Sequence, residues 1–365
     1  MEEIKLATAP QTRKNYINYL KVLAILAVIV IHVLGDLYYY KLPQGRLWYM
    51  VLFGASLVRF GVPIFIMCSG AINLNEDKAF SIKKSLTLVF KYLIIFAIWT
   101  FLYLNVDYFI SFKHVDYNIY IAQNVHHFKY HLWYLPTLIF LYIITPALKL
   151  ITKKENKNQI AYLLLVFLST CLVVSLSNYF YDCEILTFVK TIVNNDIISF
   201  ALIYILGWYL STIEIPYKYQ KLILWGGLAA YLSSPALNIL LSYLSSTKMF
   251  PTSNHLDILT IVSSCGLFLL FKNHEEKLPQ SKFINLVAKN TLYIYLVHVA
   301  IILVLQKYVI KDMYLLYSSI LIYIAETIFV FVVSLLFSIA ITHINNKIKS
   351  KLSRTFDIKT SKTEK

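Results

Sequence analysis

The stretch YINYLKVLAILAVIVIHVLGDLYYY, residues 16–40, decides the class of this protein. As a helix it is long enough to cross a bilayer, which takes about 20 predominantly apolar residues. Yet it carries Lys21 near its start and His32 two-thirds along. Eleven residues of helix rise about 16 Å and turn three times plus about 20°, so the two side chains share a face. A cation near one membrane surface thus stands in line with a titratable ring deep in the span. An ionisable group near the bilayer centre costs roughly 2.5–3.5 kcal/mol on insertion scales and marks a functional position by default.

The same hydropathy continues along the chain. Of 365 residues, 58% are hydrophobic and only 15% are charged, which excludes an ordinary soluble domain. The expected fold is all-α: a polytopic bundle of ten transmembrane helices. Its spans run near 16–40, 47–73, 85–104, 131–150, 159–176, 197–213, 222–244, 255–271, 291–308 and 317–342. Gly61 and Pro63 should kink the second, the first should exit near Gly35, and Ser233–Ser234–Pro235 should interrupt the seventh. The formal charge of +15 suggests nucleic acid at first sight. Its basic residues, however, alternate between rich and poor loops, as topology demands, which puts both termini in the cytoplasm. The charge is read as a topology signal and as attraction to anionic lipids at the cytoplasmic face, with no nucleic-acid partner.

Residues 1–15 read as a cytoplasmic tail, 16–342 as the membrane domain, and 343–365 as a basic cytoplasmic tail expected to be unfolded. The first helix ends in tyrosines without a small-residue cleavage site, so it is read as retained. Cys68, Cys171, Cys183 and Cys265 show no paired spacing and suit buried positions better than a disulfide framework or a metal site.

Several polar groups inside these runs are candidates for chemistry. His32 is either a histidine bonded to a neighbouring helix or a base able to take a proton from an alcohol. Asp36, one turn later, either orients that ring or lies in water past the helix end. Lys21 either snorkels to the headgroups or contacts a phosphate. Arg59 precedes the kink in GVPIFIMCSG, residues 61–70, where an arginine needs a partner or a polar cavity. Ser69 continues that helix, as a cavity lining or as tight packing. His131, Trp133 and Tyr134 join a titratable group to aromatics, which suits a sugar or a plain interfacial belt. His126 and His127 beside His131 do not amount to a metal site, and none is expected. His255 and His298 read as satisfied bundle or boundary residues. Walker A, GxGxxG, HExxH and GxSxG motifs are absent from the sequence.

Four stretches together resemble the integral-membrane acyltransferase type 3 family, in order and spacing, over roughly residues 15–342. Lys21 and His32 are similar to its Arg, ten residues, His pattern. GVPIFIMCSG, HLWYLP at 131–136 and NTLYIYLVH at 290–298 resemble its other elements. The closest subgroup resembles the enterobacterial common antigen O-acetyltransferase and intercellular-adhesin modification proteins. The resemblance implies a ten-helix bundle in the bacterial cytoplasmic membrane. It also implies acetyl-CoA or another acyl-CoA as donor, a cell-surface or lipid-linked glycan as acceptor, and His32 as the essential histidine. It also points to Arg59 as a site arginine; in the mechanism read from these residues Arg59, or a neighbouring hydroxyl or amide, stabilises the oxyanion, with Lys21 and Ser69 toward the donor. An extended pantetheine arm of about 15–20 Å is comparable to the Lys21–His32 rise. Asn18 stands where the family usually has aspartate, and Lys21 keeps the charge of arginine without its fork. A transporter or flippase of lipid-linked saccharide, or a catalytically weakened membrane scaffold, are the competing readings.

Overall fold

In lipid every backbone polar group needs a partner within the protein, so apolar runs of this length fold as helices. A computed structural model describes residues 14–40, 45–76, 81–180, 196–244, 256–310 and 320–363, excluding the side chains of 36–40, 178–180, 196, 320 and 348–363. Residues 1–13, Cys183 and His255 lie outside it, as does the side chain of Asp36.

The helices are α1 (Asn15–Tyr40), α2 (Arg46–Leu57), α3 (Gly61–Asn73), α4 (Ile82–Asp107), α5 (Tyr117–Asn124), α6 (Tyr134–Ile151) and α7 (Lys157–Phe180). They continue as α8 (Asp196–Thr212), α9 (Tyr217–Leu244), α10 (Ile258–Asn273), α11 (Lys282–Leu305) and α12 (Ile320–Thr363). Among the described residues, eight spans are long and apolar enough to cross a membrane, one of them made of α2 and α3 together. The protein is therefore an all-α, multi-pass membrane protein. The sixth and eighth expected spans are the shorter apolar helices α8 and α10, of 17 and 16 residues.

The first apolar stretch lies at the centre. It is far more buried than Ile82–Phe112, where Leu86, Phe90, Ile94 and Ile98 face outward. Around α1 pack α3, α11, α2, α12 and α10. Lipid tails are as apolar as leucine, so close backbone approach at small residues replaces hydrophobic drive in holding such helices together. The seam between α3 and α8 shows it. A Cβ on Gly70 would come within 1.8 Å of the Tyr204 carbonyl oxygen, and one on Gly207 within 2.1 Å of that of Met67. Gly227 of α9 and Gly266 of α10 meet in the same way.

The second span breaks where Gly61 and Pro63 foretell it, with Val58–Phe60 as a turn between α2 and α3. Pro63 falls in the first turn of α3, where its missing N–H costs nothing. The first helix continues past Gly35 to Tyr40, so the backbone at Asp36 is helical. Two other expectations are corrected. Ser233–Ser234–Pro235 does not interrupt the seventh span; α9 runs through Pro235, which is buried. There Ser233 donates to the Ala230 carbonyl, and Asn238 donates to Ser56 of α2, which ties α9 to its neighbour one turn past the proline. The basic tail is not unfolded: α12 continues to Thr363, and no proline or glycine after residue 343 stops it. Cys68, Cys171 and Cys265 are buried free thiols.

Candidate active site

His32 and two histidines far from it in sequence come together. Its ring centroid lies 5.1 Å from that of His298 on α11 and 6.2 Å from that of His131. His131 and His298 are 5.5 Å apart. The Tyr130 ring lies 5.4 Å from His32. His32 is half-buried, while His131 and His298 are buried.

Each histidine is placed by local chemistry. His131 sits in the 3-10 turn Tyr130–Trp133 that leads into α6. Its carbonyl accepts the hydroxyl of Tyr295, which locks that turn onto α11. Tyr103 of α4 grips α11 around His298: its hydroxyl donates to the Leu296 carbonyl at 2.8 Å and accepts the Ala300 N–H at 3.1 Å. The same tyrosine ring stands edge-on to His131 at 4.7 Å. Nδ1 of His298 lies 2.6 Å from the Tyr295 carbonyl. A carbonyl only accepts, so Nδ1 carries the hydrogen and Nε2 of the neutral ring holds a lone pair. That Nε2 and both ring nitrogens of His131 are buried without a hydrogen-bond partner among the described residues. Three imidazoles thus converge, and the spare hydrogen-bonding capacity of His131 and His298 is costly in a dry interior and useful around a substrate hydroxyl. Among the described residues no cluster of His, Cys, Asp or Glu has the geometry of a metal site.

A cavity of about 130 Å³ adjoins this group. Lys21 and Val28 of α1 line it with Ser69 of α3 and Tyr134 of α6. Tyr295 lines it too, and its ring is 5.7 Å from His131 and 5.8 Å from His298, so one side chain separates the cavity from the histidines. The cavity is below the roughly 300–1,000 Å³ of drug-sized ligand sites, so it accommodates a narrow chain and no nucleotide.

The sequence-derived candidates fall into distinct places. His32 and His131 are brought together; Lys21, Ser69 and Tyr134 share the adjoining cavity. Trp133 stacks on Phe200 of α8 at 5.4 Å and stands edge-on to Tyr134 at 6.2 Å. Arg59 lines a separate chamber, about 10 Å³, with Ser56, Tyr231, Ser234, Thr260 and Ser263. That is room for about one water molecule. Asn18 donates to Asn285 at 2.7 Å, a neutral link between α1 and α11. Sequence reasoning missed His298, Tyr103 and Tyr295. The histidine was visible at the end of NTLYIYLVH, but nothing local distinguishes it from a bundle histidine, and Tyr103 has no signal at all.

Over residues 14–343, nearly the whole chain, the sequence matches the protein family described as an acyltransferase domain. No curated protein and no solved structure matches it.

Proposed function

Because the chain belongs to this membrane acyltransferase family, we propose that it moves an acetyl or other short acyl group from acyl-CoA to a hydroxyl of a cell-surface or lipid-linked saccharide. The observation that carries the reading is the convergence of His32, His131 and His298 beside the cavity that Lys21 enters. Ten spans in a bacterial cytoplasmic membrane, with both termini inside, put Lys21 toward the cytosolic donor.

In this scheme the donor's phosphates stay outside the bundle near Lys21, and its thioester arm enters past Ser69 and Tyr134 toward Tyr295. His32 accepts the proton of the acceptor hydroxyl as that oxygen attacks the thioester carbonyl. The carbon–sulfur bond then breaks, and the thiolate takes the proton from the imidazolium, leaving an ester, a free thiol and neutral His32. Asp36, one helical turn on, orients the His32 ring. His298, with its lone pair on Nε2, receives a hydrogen bond from the acceptor and fixes its approach, and His131 closes the third side. Trp133 acts through its contact with α8 rather than on the sugar. Arg59, with neighbours on α9 and α10, is assigned to holding those helices against the α2–α3 break, in place of the oxyanion role read from the sequence.

The test is acyl transfer by the purified protein. Acetyl-CoA consumption with mass gain on a saccharide acceptor is expected, lost in His32→Ala. Full turnover in a folded His32→Ala protein sinks the mechanism; acceptor crossing the membrane without acyl-CoA supports a transporter instead.

A further inference from the structure

A larger cavity, about 820 Å³, opens between α1, α9 and α10. Leu23 lines it, and two residues of helix separate Leu23 from Lys21 by about 200°, so it lies on the other side of α1 from the histidine cavity. Its floor includes Gly227 and Gly266, where α9 and α10 touch backbone to backbone. Its walls include Leu224, Leu228 and Leu267.

The basic lining is confined to one end. Lys221 sits there with Tyr217 and His274, and its ammonium stands 4.6 Å from the centre of the Tyr217 ring. One turn deeper, Trp225 is 68% exposed. Lysine, tyrosine and tryptophan within the first turns of α9 mark a membrane–water interface. Among the described residues no carboxylate forms an ion pair with Lys221. From Tyr217 to Tyr231 the lined face of α9 rises about 21 Å. One leaflet with its headgroups is about half of 40–45 Å, which matches. Length, apolar wall and a cation at the interface together specify an amphiphile with an anionic head and a hydrocarbon tail.

We propose that this groove binds one anionic phospholipid of the adjacent leaflet, its phosphate at Lys221 and its acyl chain running past Leu224 and Leu228 to Tyr231. The site is distinct from the acyl-transfer machinery and does not depend on that function. Native mass spectrometry of the full chain in mild detergent, titrated with phosphatidylglycerol or phosphatidylcholine of the same chains, tests it. The wild-type protein should retain one phosphatidylglycerol in preference. Lys221→Glu should weaken that lipid roughly tenfold, because each basic group near a membrane surface contributes measurably to anionic-lipid binding. Leu228→Trp, at a half-exposed wall position, should fill the groove and lower retention of both lipids. Millimolar inorganic phosphate should leave the bound lipid in place. Equal retention of the two lipids by the wild type, or unchanged retention in both variants, overturns the proposal. Displacement by inorganic phosphate would assign the basic end to free anions, and a dimer dissolved by Leu228→Trp would assign the groove to a second copy of the chain; either result overturns it too.

Discussion

Replacing His298 by phenylalanine separates a chemical role for this residue from a packing one. The substitution keeps an aromatic ring of similar size at a wholly buried position. It removes the Nδ1–H that donates to the Tyr295 carbonyl at 2.6 Å and the lone pair on Nε2. The structural cost is one neutral hydrogen bond, about 0.5–1.5 kcal/mol. It is held toward the low end because the Tyr295 carbonyl lies inside α11 and has the helix ladder to return to. The catalytic cost is of a different size. Losing a group that positions the acceptor costs about 10²-fold in rate, or roughly 3 kcal/mol of barrier. A thiol-release assay with acetyl-CoA and a saccharide acceptor, run beside thermal unfolding in detergent, reads both. The expected result is a melting temperature within a few degrees of wild type and a turnover loss of about a hundredfold. Near-normal turnover in a folded His298→Phe protein would refute the role assigned to His298. So would activity falling only in step with the folded fraction.

Lys21→Ala should raise KM for acyl-CoA about tenfold with kcat little changed, and Lys21→Arg should restore it, as expected for a phosphate contact; steady-state kinetics at fixed acceptor check this. Ser69→Leu should fill the 130 Å³ cavity and abolish turnover while the protein stays monodisperse on size exclusion. Tyr103→Phe removes both hydrogen bonds to the turn carrying His298 and keeps the ring against His131. It should lower kcat about tenfold or more, since small displacements of catalytic groups have large effects on rate. Gly70→Ala puts a methyl group into the Tyr204 carbonyl and should yield aggregated or poorly expressed protein, at a cost of several kcal/mol if the seam cannot part.

Much of the fold was legible because lipid leaves few options. A long apolar run must be a helix, and each expected span has one in the structure. Gly61 with Pro63 announced the broken second span because both act on the backbone locally. Pro235 misled for the complementary reason: whether a proline ends a membrane helix depends on how the neighbouring helices hold it, and contacts such as Asn238 reaching Ser56 are tertiary facts. The site divides in the same way. Lys21 and His32 stand out because a titratable group in an apolar helix is expensive, and their shared face follows from helical geometry. His131 read as one of an outer group suited to a sugar or to an interfacial belt; it is buried against His298, and no spacing rule connects positions so far apart. Arg59 was conspicuous for its charge, but charge alone did not say which of two sides of α1 it would serve.

The paired glycines of α3 and α8 carry a mechanical consequence. With main chains in contact at Gly70 and Gly207, neither helix can roll or ratchet along the other without collision. The two act as a keel. A rocking cycle that slides one past the other is therefore closed to this chain, and whatever passes between its compartments passes beside a pair of helices that the keel holds still.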